Sequence, residues 1–144
     1  MNSFTVNAEN INTKPIHSLT FIAQKLDIRV EIALNQTERE QGLMFRTHLG
    51  INQGMLFVYP DQAVHEVWMK NTYIPLDAIF LSTDGHIVSI LENLQPCLHE
   101  PCEIYSPQAA ASFMLELNAG FSHDHHLQIG QTLRLPDLSK HPAN

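Results

Sequence analysis

The chain has little positive charge, few cysteines and no long apolar run. It carries 8 Lys and Arg residues against 15 Asp and Glu residues, a formal net charge of −7, and its basic residues are not clustered. A nucleic-acid partner is therefore not expected, because a phosphate backbone would be repelled. The longest apolar runs, such as residues 87–91, fall far short of the roughly 20 residues that cross a bilayer, so we expect no membrane span.

Familiar catalytic signatures are missing as well. The chain has no nucleophile elbow, no His-Glu-x-x-His, no phosphate loop and no dinucleotide fingerprint. This favours binding over catalysis and gives no reason to expect a cofactor. We carry two hypotheses: a small-ligand or partner-binding accessory domain of the cell envelope, or a hydrolase-type enzyme that uses Asp77 or Glu116 as general base.

Length and composition indicate one domain. With 144 residues and 44% hydrophobic content, the chain can bury a single core without many crosslinks. We expect a monomeric domain over residues 17–136, between flexible tails at 1–16 and 137–144. Residues 1–14 lack the continuous apolar core of a secretory leader. The protein is therefore either a mature periplasmic or extracellular form or a cytoplasmic protein.

Alternating apolar and polar residues predict many short strands. Alternation or a short apolar run predicts strands at residues 19–22, 26–33, 54–60, 64–70, 76–81, 86–92, 113–117 and 131–135. Thr37 followed by Glu40 matches a capping box, which predicts a short helix from Glu38 to near Phe45. We therefore expect a β-rich α+β domain with a curled or barrel-like, mostly antiparallel sheet and one or two short helices.

The dipeptide Asp84-Gly85 predicts a hairpin between two of these strands. A two-residue loop would place Asp77 opposite Glu92, where two carboxylates face each other. A three-residue loop with a bulge would place Asp77 opposite Leu91 instead. The register therefore decides the charge next to Asp77.

Three segments together resemble a known family. They are residues 41–46 (QGLMFR), 54–60 (GMLFVYP) and 68–77 (WMKNTYIPLD), and they resemble the signature of a widespread prokaryotic family, domain of unknown function 192. The resemblance runs from about residue 30 to 133 and includes residues 84–88, 96–102 and 116–120. It implies a small strand-rich domain, often exported behind a signal peptide, with no settled activity.

Residues 68–77 hold most of the polar groups that could form a ligand site. The candidates are Arg46, Trp68, Lys70, Asn71, Thr72, Asp77 and Glu116. We expect Lys70 and Asp77 to face a common cleft, and Arg46 could clamp a carboxylate. Asp77 and Glu116 could also mimic a glycosidase pair.

A structural interpretation competes with the ligand site. Asn71 and Thr72 could fix a turn, and Asp77 could cap a loop. Lys70 or Arg46 could neutralise a buried carboxylate. Trp68 could stack on a ligand ring, but a lone Trp between Val67 and Met69 favours a core position.

The two cysteines and the nine histidines add weaker signals. Cys97 and Cys102 lie in one short loop and would form a disulfide in an exported protein. A redox pair, a zinc site with His99, or free thiols are the alternatives. Residues 123–126 (HDHH) invite a metal interpretation, but adjacent histidines in a loop rarely converge on one ion, so no metal site is expected.

Overall fold

Strands dominate the part of the chain that the computed structural model describes, residues 14–139. Nine strands and two short helices form there. They are β1 (His17–Phe21), β2 (Leu26–Ala33), α1 (Gln36–Gln41), β3 (Gln53–Ala63), β4 (Val67–Trp68), β5 (Leu76–Leu81), β6 (Ile87–Leu94), β7 (Ile104–Tyr105), β8 (Ala111–Asn118), α2 (Phe121–Asp124) and β9 (Leu133–Arg134).

Seven strands form one curled sheet in the order β6-β5-β8-β3-β2-β1-β9, and β4 and β7 form a separate ribbon. All neighbours in the large sheet are antiparallel except β2 and β3. The sheet curls until its two ends meet, because Leu133 N–H donates to Gly85 O and Ile87 N–H donates to Gln131 O, both at 2.8 Å. The expected β-rich α+β fold with a curled, mostly antiparallel sheet is confirmed.

Alternation along the strands sends apolar side chains to both faces of the sheet. On β5, Ile79 and Leu81 belong to a cluster inside the curl, whereas Ala78 and Phe80 belong to a second cluster on the other side. We call these the inner face and the outer face. The segments after α1 and after β4 cover the outer face, and burial on both faces explains why all six residues of β5 are buried.

The first helix begins earlier than the sequence predicts. Asn35, not Thr37, is the N-cap: Glu38 N–H donates to Asn35 Oδ1 at 2.8 Å, and Asn35 N–H donates to Glu38 Oε1 at 3.3 Å. The Thr37–Glu40 capping box is therefore wrong, because Asn35 and Glu38 satisfy the same spacing two residues earlier. The helix ends at Gly42, whose φ of 46° terminates it before Phe45.

The hairpin after β5 follows neither of the two simple registers. Residues 83–85 form a three-residue loop, but two irregularities in the ladder then shift the pairing. Ala78 pairs with Leu91, and Asp77 faces the second irregularity, where Asn93 N–H donates to its Oδ1 at 2.9 Å. The irregular ladder gives Asp77 a backbone donor instead of an opposing carboxylate.

The structure describes part of each predicted tail. Residues 1–13 and 140–144 lie outside the described residues. Within the described part, Lys14 Nζ lies 3.0 Å from Glu38 Oε2, and Leu138 packs against the inner cluster. No helix of residues 14–139 has the length and apolar character of a membrane span.

Candidate functional site

A pocket of about 260 Å³ opens on the outer face of the sheet. We call it the outer pocket. Its floor is formed by Phe57 of β3 and by Met114 and Glu116 of β8, which are all buried. Its mouth is flanked by Trp68, which is 42% exposed, and by Lys70.

The strand register places Glu116 on this floor. Glu116 pairs with Met55 of β3 on one side and with Ala78 of β5 on the other, so it occupies the centre of the sheet. Its neighbours of the same face are apolar members of the outer cluster. A carboxyl group at this position is therefore removed from bulk water by the sheet itself.

Glu116 is the most unusual acid in the described chain. Its side chain is 6% exposed and makes no hydrogen bond or ion pair within residues 14–139. Burial raises the pKa of Glu116 to about 8, since removal from water disfavours the charged form. At neutral pH the group is therefore mostly a neutral acid that can both donate and accept a hydrogen bond.

Tyr59 and Arg39 form one wall of the outer pocket. The Tyr59 ring stacks on His65 with centroids 3.6 Å apart, and the Arg39 guanidinium carbon lies 5.7 Å from the Tyr59 centroid. Arg39 Nη1 also donates to Leu34 O at 2.6 Å and to Val58 O at 2.9 Å. These contacts fix α1 against β3, and burial followed by the nearby Glu116 raises the pKa of Tyr59.

Lys70 is held at the mouth by partners outside the pocket floor. Its Nζ lies 3.0 Å from Glu100 Oε1 and 5.0 Å from the centroid of the Trp68 ring. The hydrogen bond from Lys70 is the main cause that lowers the pKa of Glu100. The core interpretation of Trp68 is wrong, because Trp68 is exposed while its neighbours Val67 and Met69 are buried.

The cysteine loop docks against the same mouth. The sulfur atoms of Cys97 and Cys102 are at bonding distance, 2.16 Å, as expected for a disulfide. Cys97 N–H donates to Met69 O at 3.1 Å, and Asn71 N–H donates to Cys97 O at 2.9 Å. The disulfide loop is thus paired with the chain on both sides of Lys70, a contact that no pattern in the sequence indicates.

Asn71 and Thr72 shape the turn that leads from the mouth to β5. Asn71 has a φ of 52°, and its carbonyl accepts a bond from Phe45 N–H at 2.8 Å. Thr72 is buried, lines the pocket, and donates from Oγ1 to Lys70 O at 3.1 Å. The expected turn between two strands is present, and these contacts match the structural interpretation of the two residues.

Asp77 does not reach the outer pocket. Leu76 and Ala78 point to the outer face, so strand alternation turns Asp77 to the inner face. There Asp77 is fully buried, and its Oδ2 accepts a bond from Ser122 N–H at 2.9 Å. The common cleft expected for Lys70 and Asp77 is therefore wrong.

Arg46 also lies away from the outer pocket. Its guanidinium forms an ion pair with Glu31 in a separate groove of about 220 Å³, which Arg29 also lines. Of the sequence-derived candidates, the structure therefore brings together Trp68, Lys70, Thr72 and Glu116, and it leaves Arg46, Asn71 and Asp77 outside the pocket lining.

The sequence did not single out Tyr59 and Phe57 as site residues. Both belong to the segment GMLFVYP, whose apolar run predicts a strand but does not tell which side chains line a pocket. The histidine-rich segment 123–126 shows no convergence, because the His125 ring packs on Phe121 with centroids 4.2 Å apart. Within residues 14–139, no group of three His, Cys, Asp or Glu side chains is arranged to hold a metal ion.

The described residues form a small β-rich domain whose curled sheet carries the partly covered outer pocket. The chain matches the model of family DUF192, described as Uncharacterized ACR, over residues 19–135. This chain belongs to that family, which confirms the resemblance drawn from its sequence segments. A search of curated proteins finds no significant match.

Two solved structures are similar to this chain. One, a candidate transcription regulator from Sinorhizobium meliloti 1021, is 36% identical, with a TM-score of 0.74 over 81% of this chain and 89% of that chain. The other, a protein of unknown function from Novosphingobium aromaticivorans DSM 12444, is 28% identical, with a TM-score of 0.78 over 87% of this chain and 89% of that chain. The shared fold extends over most of each protein, and no reaction is established for either the family or these structures.

Proposed function

We propose that the domain binds a small molecule in the outer pocket, with Glu116 as its polar anchor. One observation carries the proposal: the Glu116 side chain is 6% exposed, faces the pocket and has no hydrogen-bond or ion-pair partner in residues 14–139. Ser122 Oγ is the one fully buried side-chain N or O atom of residues 14–139 that lacks a hydrogen-bond partner, so the Glu116 oxygens keep access to solvent through the pocket. A ligand that displaces this solvent has to supply the hydrogen bonds of the carboxyl group.

The rest of the lining supports a small-molecule site. The pocket combines apolar and aromatic side chains with a set of charged ones, Arg39, Glu40, Glu66, Lys70 and Glu116. Small-molecule pockets join apolar walls to polar groups that orient the ligand, and their volumes are roughly 300–1,000 Å³. The volume of about 260 Å³ lies just below that range. It therefore favours a ligand of few heavy atoms. Trp68 stands at the mouth with Lys70 over its ring, so the two side chains together border the entrance.

A fragment screen on matched variants tests this proposal. Small amines, alcohols, amides and carboxylates are added to wild type, to Glu116→Leu and to Arg46→Met, and melting temperatures are recorded. We expect at least one class to stabilise wild type and Arg46→Met, whose side chain lies in the separate groove. Glu116→Leu should lose this response while being at least as stable as wild type without ligand. Stabilisation that persists in Glu116→Leu, or no response to any class, contradicts the proposal.

We further propose that the domain acts in the cell envelope as an accessory binding protein. The disulfide between Cys97 and Cys102 supports this, because such bonds persist in oxidising compartments. Alkylation and mass measurement of protein taken directly from its native cells test the compartment. Two alkylated thiols would overturn the envelope location and leave ligand binding untouched.

A hydrolase is the second candidate function. The pKa of about 8 for a pocket carboxyl favours it, because catalytic acids are often tuned in this way. At neutral pH the protonated Glu116 would serve as a general acid, and it becomes a general base only when ionised. Asp77 cannot complete a glycosidase-type pair, since it lies on the inner face. Turnover of a chromogenic ester or glycoside by wild type, lost in Glu116→Gln, would support this candidate, and no turnover would remove it.

The description of the Sinorhizobium protein does not lead us to propose a regulator of transcription. The net charge of −7 disfavours contact with DNA phosphates.

A further inference from the structure

We propose that the ligand of the outer pocket is a small primary amine, whose ammonium group pairs with the ionised carboxylate of Glu116. This inference rests on the proposed function and names the ligand class for the same site. It makes Glu116 one half of an ion pair whose other half comes from the ligand.

The charges around the pocket leave Glu116 without a cation. Lys70 and Arg39 are the two bases of the lining. Lys70 Nζ is paired with Glu100 at 3.0 Å, and Arg39 Nη1 donates to the carbonyls of Leu34 and Val58. No Lys or Arg nitrogen of residues 14–139 lies within 4.0 Å of the Glu116 carboxyl. Within residues 14–139, the buried acid thus stands without a Lys or Arg side chain paired to it.

The other acids of the lining disfavour an anionic ligand. Glu40 and Glu66 are both exposed and stand at the edge of the same pocket. A ligand carboxylate would enter next to these two charges and would oppose the ionisation of Glu116. An ammonium group is attracted by all three carboxyls, and it brings several N–H donors to the one that lacks a partner.

The aromatic rings distinguish a primary amine from a quaternary ammonium ion. A quaternary ion has no donor and depends on open aromatic faces. Tyr59 stacks on His65 with an interplanar angle of 5°, and Lys70 lies over the Trp68 ring. Because these two rings already have partners, the hydrogen-bonding carboxyl is the stronger attraction, and a primary amine can use it.

Titration calorimetry with butylammonium chloride tests the ligand class. The matched probes are 1-butanol, sodium butyrate and tetramethylammonium chloride, which vary charge and donors at small size. We expect wild type to bind butylammonium at millimolar concentration, and to bind each of the other probes at least about tenfold more weakly. Glu116→Gln should lose at least about tenfold in affinity for butylammonium, whereas Glu92→Gln, an exposed acid of β6 outside the pocket lining, should stay within a few-fold of wild type.

Proton release gives a readout that does not depend on any variant. At pH 7, one unit below the pKa of about 8, roughly 0.9 of the Glu116 groups carry a proton. Pairing with an ammonium group should expel it, so the binding enthalpies measured in phosphate and in HEPES, which has no primary amine, should differ by about 0.9 times the difference between the two buffers' ionisation enthalpies. At pH 9 the release should fall to about 0.1, because most of Glu116 is then already ionised.

The outcomes separate this inference from the proposed function. Butanol or butyrate binding as tightly as butylammonium, or butylammonium binding without proton release at pH 7, overturns the amine class and leaves a Glu116-dependent pocket. No binding of butylammonium at millimolar concentration also overturns the amine class. The proposed function itself fails only if no fragment of any class gives a response that Glu116→Leu removes.

Discussion

Asp77 and Glu116 are one step apart in the register of β5 and β8, yet their carboxyl groups lie on opposite faces of the sheet. Asp77 is opposite Leu117, and Ala78 is opposite Glu116. On the inner face, Asp77 accepts bonds from the N–H groups of Asn93 and Ser122, both at 2.9 Å. On the outer face, Glu116 has no hydrogen-bond or ion-pair partner among residues 14–139. The Asp77 carboxylate therefore stabilises the fold through backbone hydrogen bonds, whereas the Glu116 carboxyl is available to a ligand.

Asp77→Asn should destabilise the fold by about 1–3 kcal/mol. An amide has only one oxygen, so either the Asn93 or the Ser122 N–H loses its acceptor and faces an NH₂ group. Urea unfolding measures the loss, and fragment binding to the outer pocket should be retained. Glu92→Gln is the matched control, because this exposed acid lies on the neighbouring strand β6 and should change stability by at most about 0.5 kcal/mol. Equal effects of the two substitutions would contradict the role assigned to Asp77.

Wild type should lose stability relative to Glu116→Gln as the pH rises from about 4.5 to about 8. The folded-state pKa is above the unfolded value, so the folded state holds the Glu116 proton over this window while the unfolded state has released it. The stability that this proton contributes is complete below pH 4.5 and is lost as the pH rises toward 8. The maximum slope is about 1.4 kcal/mol per pH unit.

Urea unfolding of both proteins at several pH values gives the difference curve, which cancels the other titrating groups. A flat difference curve between pH 5 and 8 would show that Glu116 is ionised or paired in the folded protein.

Local patterns predicted most strands of the large sheet, because one face of each alternating strand is more buried than the other. The expected strand at residues 64–70 is observed only as β4, and β7 was not predicted. The alternation on residues 26–33 and 113–117 and the Asp84-Gly85 turn each fix an element from neighbouring residues. The helix start was missed for a local reason, since two overlapping capping boxes compete and only tertiary packing selects Asn35. Strand order could not be predicted, because the parallel pairing of β2 with β3 depends on long-range contacts.

The sequence predicted several residues of the candidate site but not which of them lie close together. The segment 68–77 pointed to Lys70 and Asp77 as partners, because they are close in sequence. Their faces depend on the pairing of β5 with β8, and no local pattern encodes that register. Likewise, Lys70 pairs with Glu100, which lies in the loop between Cys97 and Cys102. The sequence predicted a disulfide in this loop but not its contact with Lys70.

Replacing Cys97 and Cys102 by Ser should loosen the pocket mouth and leave the sheet intact. The closed loop is short, so the loss of stability should be toward the low end of the usual range, about 2 kcal/mol. Hydrogen exchange should accelerate at the Asn71 and Cys97 amides, which join the loop to the mouth. Amides in the central pairing of β3 with β8 serve as the internal control and should stay protected. Unchanged exchange at Asn71 would show that the mouth holds its shape without the disulfide.

Gly54→Ala should destabilise the protein by about 1–3 kcal/mol through the contact between β3 and β8. A Cβ at Gly54 would lie 2.5 Å from the backbone oxygen of Glu116 and 2.8 Å from Leu117 Cδ2. A backbone atom in the middle of a sheet cannot move aside without shifting its strand. The substitution should therefore also displace Glu116, which two-dimensional amide spectra would show as shift changes centred on β8.

Gly50→Ala is the control for this substitution. There the new Cβ would meet the Gln53 side chain, with Oε1 at 2.5 Å, and a flexible side chain can rotate away. Its cost should be smaller in urea unfolding, and the β8 amide signals should not move. Equal losses of stability for Gly50→Ala and Gly54→Ala would contradict this explanation. The close approach of β3 to the Glu116 carbonyl would then not account for the cost of Gly54→Ala, and the covering segments would have to set the position of Glu116.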